Sequence, residues 1–478
     1  MRGIAGAVTI VIGPPEFEKD NTSASSIPAK QDPYREGNRT FGPLENIRYD
    51  IVAITETWLK DACLWELNIQ GYTVYRKDRK GWVTMATDQI SGAVTLFEKK
   101  KSGTVYRIPS LLYLERDAVF LAFAEKRNSS SDVNAKSLVL RRGTFYDGTV
   151  KWEDEVKLEA ASLAGYRSMN PCPVYERQGG KVYLFFNCIV DGVSEWQQVW
   201  RRKNAARLCY VLSQDAGLSW SGPWDVTEKV IGHRIRHWAT FSVGPGHGVQ
   251  TEGGTLVIPA YAYMVWQRCC LLPACLSTHP HPFYFYSEDG GVNWAVGEPL
   301  TKYRGVECEM AEITIANHNR VLYCNSRTSG QGRVEAISLE PGYFEIARLD
   351  KGLPESKGGC QGSVASFPTP NGLNGSQSAA GDGLSWLLYT HPCGERKFFW
   401  HCHNRTNLGI FLNTSPLRRG HWHGPWVIQA GPCGYSDLAY VHGARSFACL
   451  YECGTCDSWE QITFCLFTVS DVMKNIIV

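Results

Sequence analysis

Several side chains in this sequence could do chemistry, and each has an ordinary reading beside it. His391, Cys393, His401, Cys402 and His403 lie close together, and Cys449, Cys453 and Cys456 include a Cys-x-x-Cys. Imidazole and thiolate groups bind zinc, but structural zinc sites draw on paired knuckles, and neither set has them. No metal is expected. Asp132 ends the polar run Arg127-Asn-Ser-Ser-Ser-Asp132, where an isolated Asp is a solvated turn residue. Arg107, in Tyr106-Arg-Ile-Pro109, is by itself a surface or turn cation. Glu312 closes Glu307-Cys-Glu-Met-Ala-Glu312, and Tyr435 sits in Gly431-Pro-Cys-Gly-Tyr-Ser-Asp-Leu438. A strand Glu is ordinarily salt-bridged, and a core Tyr ordinarily hydrogen-bonds its hydroxyl. Read singly, none of these residues assigns an activity.

The elements that would position them are clearer. From about residue 93 onward, short apolar or alternating runs such as 119–124 and 181–190 are separated by Gly, Asn, Asp and Pro clusters. That is the pattern of many antiparallel strands, and no long amphipathic helix pattern accompanies it. The 46 Gly and 16 Trp among 478 residues suit tight turns and large packed rings better than a helical bundle. Ser213-Gln-Asp215-Ala-Gly217-Leu-Ser-Trp220 and Ser287-Glu-Asp289-Gly-Gly291-Val-Asn-Trp294 share the pattern Ser-x-Asp-x-Gly-x-x-Trp. Ser and Asp can bond the turn backbone, Gly supplies an open dihedral, and Trp buries its ring against neighbouring strands. Ser338-Leu-Glu-Pro-Gly342-Tyr-Phe344 is a degraded third copy. These units resemble the Asp boxes of β-propeller proteins, which also occur in propellers with no enzyme activity. The expected fold is all-β, a six-bladed β-propeller over 93–478 with about 64 residues per blade. Residues 365–385 are expected to form a long surface loop, and residues 1–46 a flexible leader.

Charge and cysteine usage narrow the classes of partner. With 49 Lys+Arg against 47 Asp+Glu, no bulk field exists to hold nucleic acid, and no nucleic-acid partner is expected. Seventeen cysteines, an odd and scattered set, read as buried reduced thiols of a cytosol-facing protein. The apolar run Ile4–Ile12 is too short to span a bilayer and only faintly resembles a signal peptide. Translocation is therefore not expected, although six Asn-x-Ser/Thr triplets occur. The apolar stretch from Met264 to Cys275 fits either an interfacial or acylated loop, through Cys269, Cys270 and Cys275, or a buried loop.

Two resemblances add to this. Tyr49-Asp-Ile-Val-Ala-Ile-Thr-Glu56-Thr-Trp-Leu59 and the stretch to Gly81 resemble the endonuclease domain of non-LTR retrotransposons, in which the Glu matching Glu56 binds a catalytic metal. The likeness covers residues 47–82 alone. One carboxylate cannot organise a metal-dependent phosphodiester cleavage, so this fragment is expected to be inactive. From Tyr106-Arg-Ile-Pro109 to the C-terminus the chain resembles the vertebrate sialidase family, most of all its plasma-membrane, ganglioside-preferring branch. The phrases that carry the likeness are Leu121-Ala-Phe-Ala-Glu-Lys-Arg127, Arg167-Ser-Met-Asn-Pro-Cys-Pro173, His237-Trp-Ala-Thr-Phe241 and Gly431–Leu438, with both Asp boxes in order.

That resemblance implies a retaining exo-α-sialidase with no cofactor, acting on gangliosides and glycoproteins and peripherally attached to membrane or cytoplasmic. It implies that Arg107, Arg327 (in Tyr323-Cys-Asn-Ser-Arg-Thr) and Arg405 (in Asn404-Arg-Thr-Asn-Leu-Gly) grip the sialic acid carboxylate. Guanidinium forks meet a carboxylate bidentately, as Lys cannot. It also implies Asp132 as acid/base and Tyr435, paired with Glu312, as nucleophile. A neutral phenol avoids the repulsion that an anionic nucleophile would meet at a carbon bearing a carboxylate. Arg127, Asn170, Glu195, Tyr261 and Tyr263 match positions that contact the N-acetyl and glycerol groups. The competing expectation is a catalytically weak propeller that only binds sialic acid.

Overall fold

The structure is a computed structural model. It describes residues 92–477 except 268–275, 331, 371–383 and 395–404, together with four strands nearer the N-terminus. The chain divides into two compact units, Met1–Asp88 and Gln89–Val478. In the first, Ala7–Ile12 pairs antiparallel with both Ile51–Thr57 and Thr73–Asp78, and Gly81–Met85 completes a four-stranded sheet. The expected leader thus supplies a strand to the endonuclease-like segment. The near-continuous apolar, β-branched run Ala7-Val-Thr-Ile-Val-Ile12 provides the reason. The rest of residues 1–46 lies outside the described residues.

The second unit is built from antiparallel sheets. Strands Val105–Leu114, Val119–Arg127 and Ala135–Tyr146 form the first; Tyr166–Glu176, Lys181–Val190 and Ala206–Ser213 the second. Trp238–Val243, Leu256–Gln267 and Leu276–Ser287 form the third; Val306–Thr314, Arg320–Arg327 and Arg333–Ser338 the fourth. Each gains a short outer strand. The fifth sheet has seven strands, because Trp422–Val441 is long enough to end one four-stranded group and begin another. Its last strand is Val94–Glu98, which pairs with Gln461–Thr468 and so joins the two ends of the unit. The expected loop at 365–385 starts later than the sequence suggested: Ser363–Pro368 is a strand whose Val364 and Phe367 are buried, and 371–383 lies outside the described residues.

The repeated turns explain how neighbouring sheets lock together. In the second copy Ser287 Oγ donates to Asp289 (2.9 Å) and accepts from Gly291 N–H (2.9 Å), while Asp289 accepts from Asn293 N–H at 2.9 Å. Trp294 lies 4.6 Å from the Phe185 ring of the preceding sheet and donates its indole N–H to Gly291 O (3.0 Å). Gly291 has φ +90°, and a Cβ there would lie 2.4 Å from Tyr183, so both the dihedral and the close approach require glycine. The first copy places Trp220 against Phe123, and the degraded third places Phe344 against Tyr284. Trp294→Ala is expected to lower the unfolding free energy by about 3 kcal/mol, as large-to-small changes at packed aromatics do. Denaturant unfolding measures this, with Leu218→Ala, on an exposed turn position, as the neutral comparison.

Candidate active site

At the centre of the candidate site is a small apolar cluster of Ile108, Cys360 and Tyr435. Ile108 has φ 59°, an uncommon conformation for a β-branched residue, at an irregularity in the strand between Arg107 and Ser110. Glu452, fully buried, holds this bend. One carboxylate oxygen accepts from Arg107 Nε (2.7 Å) and Ile108 N–H (2.8 Å), and the other accepts from Tyr435 N–H (3.1 Å). A single side chain therefore fixes both an arginine and the tyrosine.

All three expected arginines meet at Tyr435. The Arg107 and Arg405 guanidinium carbons lie 5.7 and 5.5 Å from the centre of its ring. Arg327 Nη1 donates to the phenol oxygen at 3.1 Å and to Glu307 at 2.7 Å. Two consecutive carbonyls brace the forks: Gly358 O accepts from Arg327 (2.8 Å), and Gly359 O accepts from Arg405 (2.9 Å). Gly359 has φ +73°, and a Cβ on it would lie 2.2 Å from Thr328 O and 2.9 Å from Arg327. Any side chain there would displace the arginine.

The phenol of Tyr435 donates to Glu307, not to Glu312. This corrects the expected pairing. Glu312 lies five residues further along the same strand, ~17 Å away at the usual rise, and accepts from Glu252 N–H (2.9 Å) near the hairpin turn. Burial raises the Tyr435 pKa well above the usual phenol range and the negative charge of Glu307 adds to this, while Arg327 and Arg405 pull it down. The resting side chain is a neutral phenol. Burial alone would weaken the proton hold of Arg327, but Glu307, Tyr435 and Cys360 together outweigh it, so the guanidinium stays charged.

Asp132 opens a short 3-10 turn, Asp132–Asn134, with its carboxyl largely exposed. Arg127 donates to it at 2.5 Å. Arg127 itself is only 1% exposed and is clamped by Glu125, which accepts at 2.7 Å from Nε and pairs at 2.6 Å with the second terminal nitrogen. Expected as a sugar contact, Arg127 instead supports Asp132 from within. Arg167 makes a second brace: it donates to Asp132 O (3.1 Å), Val190 O (2.9 Å) and Val193 O (2.7 Å). It thereby links the Asp132 turn to the segment entering helix α1 (Glu195–Arg201), whose first turn is closed by a Ser194–Gln197 capping box.

Glu195, the first residue of α1, accepts from Tyr261 Oη at 3.1 Å, and Tyr263 stands edge-on to Tyr261 at 6.2 Å. Glu195 is exposed as a residue, with its carboxyl beside the Tyr261 hydroxyl. Desolvation raises its pKa to about 7, helped by the negative charge of Glu307 and Asp132 and opposed by Tyr261 and Arg327. Asn170 adopts φ 55°, donates its N–H to Glu125 (2.6 Å) and its amide to Ser242.

Among the described residues, His247, Glu309 and Asp437 have ligand-type atoms within 4.8 Å of one another. Hydrogen bonds already engage each carboxylate oxygen: Glu309 accepts from Gln361 and Val364 N–H, Asp437 accepts from Leu438 N–H and Leu111 N–H and bonds His247, and the Ser363 hydroxyl lies within hydrogen-bond distance of both carboxylates. Burial and the neighbouring Asp437 push Glu309 well above the carboxylate range. The cluster ties the first, fourth and fifth sheets together. Of the His/Cys cluster weighed against zinc, His391 bonds Glu355 (3.0 Å), the Cys393 thiol donates to Asn407 O (3.0 Å), and His401, Cys402 and His403 lie outside the described residues. The described cysteines are unpaired thiols, and most are buried.

Three guanidiniums thus stand around a buried tyrosine–glutamate pair, with Glu307 in place of the expected Glu312. The BNR repeat-like domain family matches residues 118–446. Sialidase-3 of Bos taurus is 44% identical over 409 residues, covering 80% of this chain and 94% of its own. The chain belongs to the vertebrate sialidase family. It is thereby an exo-α-sialidase by class, a glycoside hydrolase. Two solved structures share the fold at 18% identity. One is the Hadza microbial sialidase Hz136 (TM-score 0.61, covering 84% of this chain and 74% of that one). The other is Trypanosoma rangeli sialidase in complex with 2,3-difluorosialic acid, described as a covalent intermediate (TM-score 0.55, 80% and 59%). The second unit is accordingly a β-propeller of the sialidase kind.

Proposed function

We propose that the second unit is a six-bladed propeller and a retaining exo-α-sialidase that removes terminal sialic acid from gangliosides and glycoproteins. The observation that carries the mechanism is the contact of Tyr435 with Glu307 and Arg327. In the first step the phenol oxygen attacks the anomeric carbon and its proton passes to Glu307. Asp132 protonates the departing glycosidic oxygen as the old bond breaks. The carboxylate on that carbon sits among Arg107, Arg327 and Arg405, and the phenol is uncharged until attack. In the second step Asp132 takes a proton from water, the oxygen of that water attacks the same carbon, and the phenol recovers its proton from Glu307. Two displacements restore the original configuration.

Incubation with a fluorogenic α-sialoside tests this, with NMR of the sugar as it first appears. Release of the α anomer supports the reading; no release, or first release of the β anomer, contradicts it. Glu195 adds a pH dependence. Below about 7 its carboxyl is neutral, and above that value it becomes an anion facing an anionic sugar. KM is expected to rise with pH through this range, and Glu195→Gln should flatten the rise in a pH series of KM. Residues before Gln89 form a separate unit. A chain beginning at Gln89 is expected to turn over as fast as the full chain. One beginning at Leu96 would lose part of the closing strand Val94–Glu98 and should unfold more easily on thermal melting.

A further inference from the structure

Tyr435 and the carboxylate it bonds stand on strands that are not neighbours in any sheet. Glu307 lies at the start of Val306–Thr314, which among the described residues ladders to Arg320–Arg327 alone. Tyr435 lies in Trp422–Val441, which beyond Cys433 ladders, among the described residues, only to Ser446–Cys453. That ladder is irregular between Cys433 and Ser436 and skips Tyr435 itself. Strand pairing therefore does not set the distance between phenol and carboxylate. Gln361, 1% exposed and two residues before strand Ser363–Pro368, joins the two strands with its side chain. Its amide oxygen accepts from Ser436 N–H (3.0 Å). Its amide nitrogen donates to Ser436 O (2.9 Å) and Glu309 (3.1 Å), with a longer contact to Pro245 O (3.4 Å).

A carboxamide donates and accepts at once, so Gln361 bonds both backbone groups of one residue, as a neighbouring strand would. Ser436 N–H belongs to the peptide bond that follows Tyr435, and Glu452 accepts from the N–H of Tyr435 itself. Side chains thus hold the backbone on both sides of the phenol. On the other strand Glu309 stands two residues beyond Glu307, and the same Gln361 nitrogen bonds it. Buried polar groups need partners whatever the chemistry, but that need does not require one amide to reach both strands. We infer that Gln361 is a positioning residue: it holds the Tyr435 phenol against the Glu307 carboxylate, and so sets the rate of attack, without touching the sugar. The inference rests on the functional reading above, in which that contact carries the proton. Reacting groups displaced by about 1 Å lose rate on the order of a hundredfold.

The test replaces the amide with an apolar side chain of similar length, Gln361→Met in the full chain, and follows two quantities. One is the rate of labelling by 2,3-difluorosialic acid, in which the phenol oxygen bonds the anomeric carbon, its proton passes to Glu307 and fluoride leaves. The other is the Kd of 2-deoxy-2,3-didehydro-N-acetylneuraminic acid, a sugar with no leaving group. Labelling is expected to slow about a hundredfold while the Kd is unchanged. Labelling at the wild-type rate would overturn the inference. So would equal losses in labelling and binding, which would make Gln361 a general support of the pocket. Gln361→Glu keeps the volume and an acceptor for Ser436 N–H; it should slow labelling less, and it supplies the same comparison if the methionine variant does not fold. A crystal structure of either variant gives a reading that needs no turnover. Tyr435 and Glu307 are expected to stand apart in it, and a retained contact would overturn the inference. A wild-type chain that is not labelled on Tyr435 would instead refute the functional reading, and the variant's crystal structure would still decide the role of Gln361.

Discussion

Glu307→Gln is expected to lower kcat by about 10³, the scale of a lost general base, while Glu312→Gln leaves it unchanged. The contrast follows from where the two carboxylates stand. Glu307 accepts a hydrogen bond from the Tyr435 phenol and shares Arg327 with it, so in the proposed reaction each group is already in place. Glutamine would fill the same space and keep a hydrogen bond to the phenol, but it cannot take the proton as the phenol attacks. Glu312 meets Glu252 N–H at the far end of the strand. Steady-state kinetics on a fluorogenic α-sialoside measures both variants. A large loss at Glu312 with Glu307→Gln unaffected would reverse the assignment.

Arg327→Lys is expected to reduce kcat/KM by about 10² to 10³, with kcat and KM both affected. The guanidinium makes three directed contacts at once, to Glu307, Tyr435 and Gly358 O. A lysine ammonium can keep the charge but not this geometry. Arg405 differs in kind. Its hydrogen bond goes to Gly359 O, and it reaches Tyr435 only through the ring face. Arg405→Lys should therefore raise KM and leave kcat closer to wild type. Equal effects of the two substitutions on kcat would contradict a special role for Arg327 beside the nucleophile.

Which parts of this were legible in the sequence depends on what each part requires. The Ser-x-Asp-x-Gly-x-x-Trp turns carry their own structure, because a side chain bonds a backbone group four residues away and a ring packs at a fixed offset. Arg107, Arg327, Arg405 and Tyr435 stand in distinctive local phrases. Glu307 was harder to see, since its run offers three carboxylates at close spacing. A signal did exist: counting back across the turn at 315–319 sets Glu312 opposite Leu322 and Arg327 opposite Glu307, and an irregularity before Cys308 moves that last pairing by only one residue, to Val306. The burial of Arg127 and the roles of Glu452, Glu125, Gly358 and Gly359 had no comparable signal. They depend on which strands become neighbours, and Glu452 meets Arg107 across 345 residues of chain.

The central claim is that Tyr435 becomes covalently bonded to the sugar. Incubation with 2,3-difluorosialic acid, followed by proteolysis and mass spectrometry, tests it most directly. The account predicts one added sialyl group per chain, carried on the peptide containing Tyr435 and absent from Tyr435→Phe. An active wild-type enzyme labelled on a different residue, or a Tyr435→Phe variant labelled as readily as wild type, would contradict it.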